Sequence, residues 1–312
     1  MHPHSRRRFL KLSAAALPGA AAARATAGER PQPPPIFDAH LHCPAESGEL
    51  WQWHKVTQGF EDFVAYLDRT GVGRGIINSQ RCQLTGGRPA DFIAGNREVA
   101  RYVDKYKGRF LGACVVNPLF IDEALKEIEY CRRQLGFLWV GELCNYTVPY
   151  SYTIKEFALL VEQVTKLGMA LDIHTENEEM EYVIRSFPRA LLVFPHFGDE
   201  HEYDHIFKRI DLVARNPNCY IDTSGYGHDR MGMLEYAVKT VGPDRVLFGS
   251  DFSINDPSAV IARVQNSFLS EEEKRRVLSG NLEALLGRVG AAHSVGGKPS
   301  SSPGTQRSAL SR

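Results

Sequence analysis

The sequence has no apolar run approaching the roughly 20 residues that a helix needs to span a bilayer, so no stable membrane anchor is expected. None of its six cysteines forms a Cys-x-x-Cys pair, and several fall within apolar strand-like runs. Buried free thiols are therefore predicted, not a disulfide framework. No Gly-x-Gly-x-x-Gly follows the first predicted strand, which argues against a doubly wound dinucleotide-binding sheet.

Neither sign of charge is in excess, since 37 basic side chains balance 37 acidic ones. Five of the basic residues lie within residues 1–25, which contain no acid. Removing that segment leaves 32 basic and 37 acidic side chains, a net charge of −5. No basic face then remains to indicate a nucleic acid or an anionic membrane as partner.

The N-terminal segment is typical of an export signal. Residues 5–11 (Ser-Arg-Arg-Arg-Phe-Leu-Lys) carry a twin-arginine pattern, and a short alanine-rich run with small-residue cleavage sites follows. We therefore expect residues 1–27 to be a signal peptide read by the twin-arginine translocation machinery, and the mature protein to be periplasmic or secreted. Residues 28–35 are a predicted proline-rich linker, and residues 291–312 a predicted disordered tail.

Between these ends, short apolar runs alternate with amphipathic ones. Eight such units predict a single-domain α/β fold, a (β/α)8 TIM barrel with a C-terminal helix, over residues 36–290. An open doubly wound sheet is the alternative fold. The predicted strands are residues 36–42, 75–79, 110–116, 137–143, 170–174, 191–196, 220–223 and 246–251.

Metal-competent side chains collect at the C-terminal ends of five of these strands. A barrel of this type places its active site at that face, and the two-residue spacing of His40 and His42 directs both imidazoles to the same side of a strand. Imidazole and carboxylate together suit zinc, manganese or iron, with zinc expected first. The candidates are His40, His42, Glu142, His174, His196 and Asp251.

Other residues near the predicted barrel mouth are candidates for substrate binding. Arg81 follows the second strand and could clamp a carboxylate, while Tyr146 is one of several aromatic residues in the loops. Ser224 and Asp222 end the seventh strand and could touch substrate, although bonding to the adjacent loop is an equal alternative. His201 lies in a loop and could line the pocket, and Asp38 is expected to orient an imidazole or the strand end.

The order of these motifs resembles the amidohydrolase superfamily, and within it the amidohydrolase-related branch. The resemblance covers roughly residues 36–290. It is carried by residues 38–42 (Asp-Ala-His-Leu-His), 194–198 (Phe-Pro-His-Phe-Gly), 220–224 (Tyr-Ile-Asp-Thr-Ser), 243–251 (Pro-Asp-Arg-Val-Leu-Phe-Gly-Ser-Asp) and 280–287 (Gly-Asn-Leu-Glu-Ala-Leu-Leu-Gly).

The resemblance implies that His40, His42, His174 and Asp251 are metal ligands. It makes His196 either a ligand of a second metal or a catalytic acid or base. Many two-metal members carry a carbamylated lysine on strand four, and no lysine lies in residues 137–143. Glu142 instead resembles the bridging glutamate of the TatD-like hydrolases, which leaves both one and two metals open.

Three functions follow as hypotheses. The first is hydrolysis of a small-molecule amide, ester, lactone or phosphoester by a metal-activated water, with Asp251 taking its proton. The alternative is non-oxidative decarboxylation of an aromatic or unsaturated acid at a single metal. The third is an inactive barrel that only binds ligand, which the complete ligand set disfavours.

Overall fold

Eight parallel strands form one sheet in sequential order from β1 to β8. A computed structural model of the chain describes residues 35–46, 59–84, 86–198 and 202–294, and the predicted (β/α)8 barrel is confirmed. The strands are β1 Ile36–Cys43, β2 Val72–Ser79, β3 Phe110–Cys114, β4 Trp139–Cys144, β5 Ala170–His174, β6 Leu191–Phe194, β7 Cys219–Asp222 and β8 Val246–Leu247.

Backbone hydrogen bonds between β1 and the chain that follows β8 bring the two ends of the sheet together. Ala39 N donates to Phe248 O at 2.8 Å, and Asp251 N donates to His40 O at 2.9 Å. A parallel bridge between Leu41 and Phe252 extends this contact. The barrel therefore closes beyond the end of β8, which is only two residues long.

Helices follow the strands, and most of them bury an apolar stripe against the sheet. In the helix Lys155–Lys166 this stripe is formed by Phe157, Leu160, Val161 and Val164, all of which are buried. The helices are α1 Phe60–Thr70, α2 Arg81–Leu84, α3 Pro89–Lys105, α4 Ile121–Arg133, α5 Lys155–Lys166, α6 Asn177–Ser186, α7 Tyr203–Arg215, α8 Met233–Val241, α9 Pro257–Gln265, α10 Glu271–Arg275 and α11 Asn281–Ser294.

Side chains of the last helix fill one end of the barrel interior. One or two residues of every strand, among them Phe37, Trp139 and Tyr220, form an inner cluster distinct from the larger core between strands and helices. Leu282, Leu285, Leu286 and Val289 of α11 complete this inner cluster. We call this region the barrel floor. It is apolar and closed.

β1 and β4 each contain a β-bulge between the residues that form the floor and the residues that line the mouth. Asp38 and Leu41 of β1 lie opposite Gly75 and Ile77 of β2, so three steps on one strand match two on the other. A second irregularity lies between Val140 and Leu143 of β4. A bulge inserts one residue and re-aims the side chains beyond it.

Several predicted features fall outside the described residues, namely the signal segment 1–27, the linker residues 28–34, His201 and residues 295–312. Helix α11 runs to Ser294, four residues past the predicted domain end at residue 290. All six cysteines are buried free thiols, as predicted. Within the described parts of the chain, no helix is long and apolar enough to cross a membrane.

Candidate metal centre

All six predicted ligands meet at the C-terminal end of the barrel. They form two groups, and within each group the ligand atoms lie within 4.8 Å of one another. The first group is His40, His42 and Asp251, and the second is Glu142, His174 and His196. Five of these side chains are buried, and only His174 is partly exposed.

Glu142 lies between the two groups. Its Oε2 is 3.4 Å from Nε2 of both His40 and His42. Its Oε1 is 2.8 Å from His174 Nδ1 and 3.7 Å from His196 Nε2. One carboxylate thus faces four imidazoles, a position that suits a ligand shared between two cations.

The chemistry of this donor set fits a divalent cation. The Nε2 atoms of His40 and His42 are only 3.0 Å apart, and Asp251 Oδ1 lies 3.0 Å from Nε2 of His42. A bound cation would stabilise such a buried cluster, because both nitrogen lone pairs and the carboxylates could coordinate it. Nitrogen and oxygen donors of this kind bind zinc, manganese and iron. The structure therefore supports a divalent-metal site.

The carboxylates control the protonation of the imidazoles. Burial alone would lower the pKa of His40, but the charges of Glu142 and Asp222 raise that pKa well above its ordinary value. Burial likewise acts to lower the pKa of His42, but hydrogen bonds that its ring donates to Asp251 and Glu142 raise that pKa to about 9. Cation binding must displace these protons, so the affinity for metal is expected to rise with pH.

Two of the six ligands have a left-handed backbone. Among the described residues, His196 with φ of 66° and Asp251 with φ of 60° are the non-glycine residues at positive φ. This conformation costs roughly 1–3 kcal/mol outside glycine and persists where the surroundings enforce it. Both residues leave their strands at a sharp turn, which directs their side chains into the mouth.

Amide side chains fix two ligands from behind. His42 Nδ1 lies 2.9 Å from Asn78 Oδ1 at the end of β2. Asn255 Nδ2 donates to Asp251 Oδ2 at 2.8 Å. Each bond orients a ligand and leaves its other polar atom directed at the cluster. The polar end of β2 and the turn after β8 were not singled out from the sequence.

A buried arginine holds the ends of β5 and β6 together. Arg209 of α7 donates from Nε to His196 O at 2.9 Å and from Nη2 to Pro195 O at 2.8 Å. Its Nη1 donates to Thr175 O at 2.7 Å. Carbonyls that the strands leave unpaired are satisfied by one guanidinium, which fixes the loop that carries His196.

The predicted substrate residues are placed differently from one another. Arg81 Nη1 donates to Glu98 Oε1 at 3.1 Å, so its guanidinium has an acidic partner within the chain. Tyr146 packs edge-on against His174 with ring centroids 4.7 Å apart, and 49% of the residue is exposed. Ser224 is fully buried. Tyr146 is thus beside the cluster and reachable by a ligand.

Asp38 orients the strand end and not an imidazole ring, which is the second of the two roles expected from the sequence. Its Oδ1 accepts hydrogen bonds from the backbone N–H groups of His40 and Ser250, at 2.9 and 3.0 Å. Its role is to hold the first and last strands together. Burial raises the pKa of this carboxyl to about 7.

Asp222 is the site residue that sequence reasoning undervalued. It is fully buried at the end of β7, and its Oδ2 lies 3.2 Å from Nδ1 of His40. A carboxylate behind a metal-binding histidine orients the ring and raises its basicity. Its position at a strand end was visible in the sequence, but its partner on another strand was not.

Comparison with known proteins places these features in a family. The family model described as amidohydrolase matches residues 37–288. A curated relative, the gamma-resorcylate decarboxylase of Polaromonas sp. strain JS666, is 23% identical over 283 residues, which cover 73% of this chain and 83% of the relative.

Solved structures show the same fold. A dihydroxybenzoic acid decarboxylase from Polaromonas sp. JS666, with bound manganese and the inhibitor 2-nitroresorcinol, has a TM-score of 0.63 at 17% identity and covers 81% of this chain and 96% of its own. A Pseudomonas putida protein provisionally named 2-pyrone-4,6-dicarboxylic acid hydrolase has a TM-score of 0.62 at 14% identity, covering 81% and 97%. From the extent of the family match and the shared barrel, the chain belongs to the amidohydrolase family.

Proposed function

We propose that the protein is a metal-dependent, non-oxidative decarboxylase of a hydroxylated aromatic acid. The observation that carries this proposal is the similarity to the gamma-resorcylate decarboxylase over 83% of that enzyme, with a complete set of candidate ligands at the mouth. Support from solved structures of the same fold includes a dihydroxybenzoic acid decarboxylase with manganese. This reverses the order of the two enzyme hypotheses drawn from the sequence.

Decarboxylation breaks one carbon–carbon bond and forms one carbon–hydrogen bond. The bonding electrons pass to the ring carbon, which takes up a proton as carbon dioxide leaves. His40, His42, His174 and Asp251 would hold the cation, whose positive charge binds the anionic oxygens of the substrate. His196, whose Nε2 faces Glu142, would exchange the proton.

Hydrolysis remains the second candidate because of Glu142. Its carboxylate lies between the two ligand groups, the arrangement expected for a ligand shared by two cations. Two-metal sites of this kind are suited to hydrolysis. A single-cation decarboxylase would use Glu142 only to set the protonation of the imidazoles.

The two candidates are separated by measuring metal content and reaction products on the same preparation. For the decarboxylase we expect about one equivalent of manganese or zinc and release of carbon dioxide from dihydroxybenzoates, with no turnover of esters, lactones or phosphoesters. Two equivalents with hydrolysis and no carbon dioxide release would overturn the first proposal. Reconstitution with manganese and zinc separately identifies the metal.

We also propose export by the twin-arginine pathway. The support is the pattern at residues 5–11 and the absence of acidic residues before residue 26. Replacing Arg6→Lys and Arg7→Lys together should retain the enzyme in the cytoplasm, as judged by fractionation and immunoblotting. Undiminished periplasmic protein would refute this route, and Arg30→Lys serves as the matched control outside the signal.

A further inference from the structure

Two side chains at the end of β7 lie between the rings of His40 and His196. Asp222 and Ser224 are both fully buried. Ser224 Oγ is 2.9 Å from His196 Nδ1 and 3.3 Å from His40 Nδ1, and Asp222 Oδ2 is 3.2 Å from His40 Nδ1. The two imidazoles stack at an interplanar angle of 27° with these groups behind them.

The protons of this group can be assigned by counting donors. The carboxylate of Asp222 acts as a hydrogen-bond acceptor, because backbone N–H groups point at it. Its Oδ1 accepts from the backbone N–H of Ser224 at 2.8 Å and of His196 at 3.3 Å. The hydroxyl of Ser224 also donates to Oδ1.

A serine hydroxyl has a single proton, and here that proton is given to Asp222. Ser224 Oγ can then only accept from the ring nitrogen that it faces, which places a proton on Nδ1 of His196. Nδ1 of His40 faces two acceptors, Asp222 Oδ2 and Ser224 Oγ, and carries a proton for the same reason.

Close backbone packing maintains this arrangement. A Cβ on Gly225, whose φ is +60°, would lie 2.3 Å from Nδ1 of His196. A Cβ on Gly249 would lie 2.7 Å from Cγ of Asp222. The chain therefore packs closely against Nδ1 of His196 and against the carboxyl of Asp222.

We propose that Asp222, directly and through Ser224, fixes the proton on Nδ1 of both His40 and His196, so that Nε2 is the reacting nitrogen of each ring. Asp222 and Ser224 are thus positioning residues. His40 binds its cation through Nε2, and His196 gains and loses a proton only at Nε2. The latter consequence deepens the proposed decarboxylase and rests on it, whereas the proton assignment does not.

A purely structural role for Asp222 makes a different prediction. Capping the loop after β7 through the backbone N–H groups would stabilise the fold without dictating a tautomer. The tautomer must therefore be measured directly, by long-range 1H–15N NMR of protein labelled at its histidine rings. His40→Gln and His196→Gln variants assign the two signals.

Both rings of the zinc-loaded wild type should carry a proton on Nδ1, because zinc displaces the Nε2 proton that the carboxylates favour on His40 in the metal-free protein. Ser224→Ala should release His196 into a tautomer mixture while His40, still bonded to Asp222, keeps its signal. Asp222→Asn should disturb both rings and weaken zinc binding roughly 10–100-fold, as measured by competition with a chelator. Ser279→Ala removes another buried hydroxyl, one that has no hydrogen-bond partner among the described residues, and should leave both signals unchanged.

An unprotonated Nδ1 in either ring of the zinc-loaded wild type would overturn the proposal. So would a Ser224→Ala spectrum identical to that of the wild type. Should Asp222→Asn fail to fold, the wild-type and Ser224→Ala spectra decide the matter alone. Since no substrate or turnover enters these spectra, failure of the decarboxylase assay would leave their result intact.

Discussion

The floor and the mouth of the barrel are built by the same strands but have opposite chemistry. At the floor, side chains such as Trp139 and Val193 pack against Leu285 of α11 in an apolar cluster. At the mouth, a layer of imidazoles and carboxylates is almost equally buried. Burial of apolar groups stabilises the fold, whereas burial of charged groups costs free energy unless partners or a cation compensate. Stability and chemistry are thus separated along the barrel axis.

The bulges in β1 and β4 lie at the boundary between these regions. On β1, Phe37 and Ala39 belong to the floor cluster, and His40 and His42 belong to the ligand cluster at the mouth. In a regular strand, odd-numbered and even-numbered residues would lie on opposite faces, so the bulge is what brings both pairs to the inner face. On β4, Gly141 separates Trp139 from Glu142, and a Cβ there would lie 2.2 Å from a backbone oxygen. The bulges let one strand serve both regions.

Removal of a mouth carboxylate should give the largest effect. Asp251→Asn is expected to lower kcat roughly 10³-fold, since a ligand of the cation that stabilises the developing negative charge is lost, while the melting temperature stays near that of the wild type. Steady-state kinetics and differential scanning calorimetry check both. Asp244→Asn, on an exposed side chain that pairs with Arg276, is the control. Undiminished turnover of Asp251→Asn would remove that residue from the chemistry.

A cavity in the barrel floor should lower the stability of the fold and leave turnover unchanged. Leu285→Ala is expected to lower the free energy of unfolding by about 2–5 kcal/mol, because Leu285 is 1% exposed within the inner cluster. Urea titration measures this loss. At a temperature where the variant stays folded, kcat should match that of the wild type. A fall in kcat there would show that floor and mouth are coupled.

Crowding His196 should impair the mouth with a smaller cost in stability. Gly225→Ala places a Cβ against the ring at a positive φ and is expected to lower kcat by about 10²-fold, the effect of a displacement near 1 Å. Gly287→Ala is the matched control, since no atom lies within 4 Å of its added Cβ. Equal kcat for both variants would contradict the tight packing of His196.

The smallest effect is expected from Asp172 of β5, whose carboxyl lies between the floor and the mouth and should alter how stability depends on pH. Burial raises the pKa of Asp172 from 3.8 to about 8, so the folded chain keeps a proton that the unfolded chain releases. The free energy of unfolding therefore falls as pH rises between these values. Asp172→Asn should reduce this fall by at least about 1 kcal/mol between pH 5 and pH 8.

Chelator-treated protein isolates this effect, and urea midpoints at the two pH values measure it. The side-chain amide of the Asp172→Asn variant retains an oxygen for the Trp139 Nε1 bond, which is 3.0 Å long in the wild type. Asp38 titrates in the same direction, with a pKa of about 7, but contributes equally to both proteins. Parallel stability profiles for wild type and variant would refute the raised pKa.

The sequence was sufficient to predict the number and order of strands and the six metal-competent residues. Alternating patterns and strand-end positions carry that information locally. The bulge at Asp38 was not predictable, because a continuous strand pattern gives no sign of an inserted residue. The roles of Asp222 and Ser224 depend on partners 182 and 184 residues away, and pairings at that distance leave no spacing to detect.

The early end of β8 has a similar cause. Residues 246–251 (Val-Leu-Phe-Gly-Ser-Asp) begin with three apolar residues and end in an acid, and this pattern is interpreted as one continuous strand. The structure ends the strand at Leu247 and bends at Asp251, whose φ is 60°. A functional turn overrides the local preference there.

The bond between Asp38 and Ser250 spans 212 residues, and this sets an order of events during synthesis. A nascent chain that has not yet released its eighth strand lacks both this bond and Asp251. Seven completed strands would present imidazoles without the carboxylate and loop that complete the cluster. The ligand group of His40, His42 and Asp251 is therefore completed only in chains translated through the last strand.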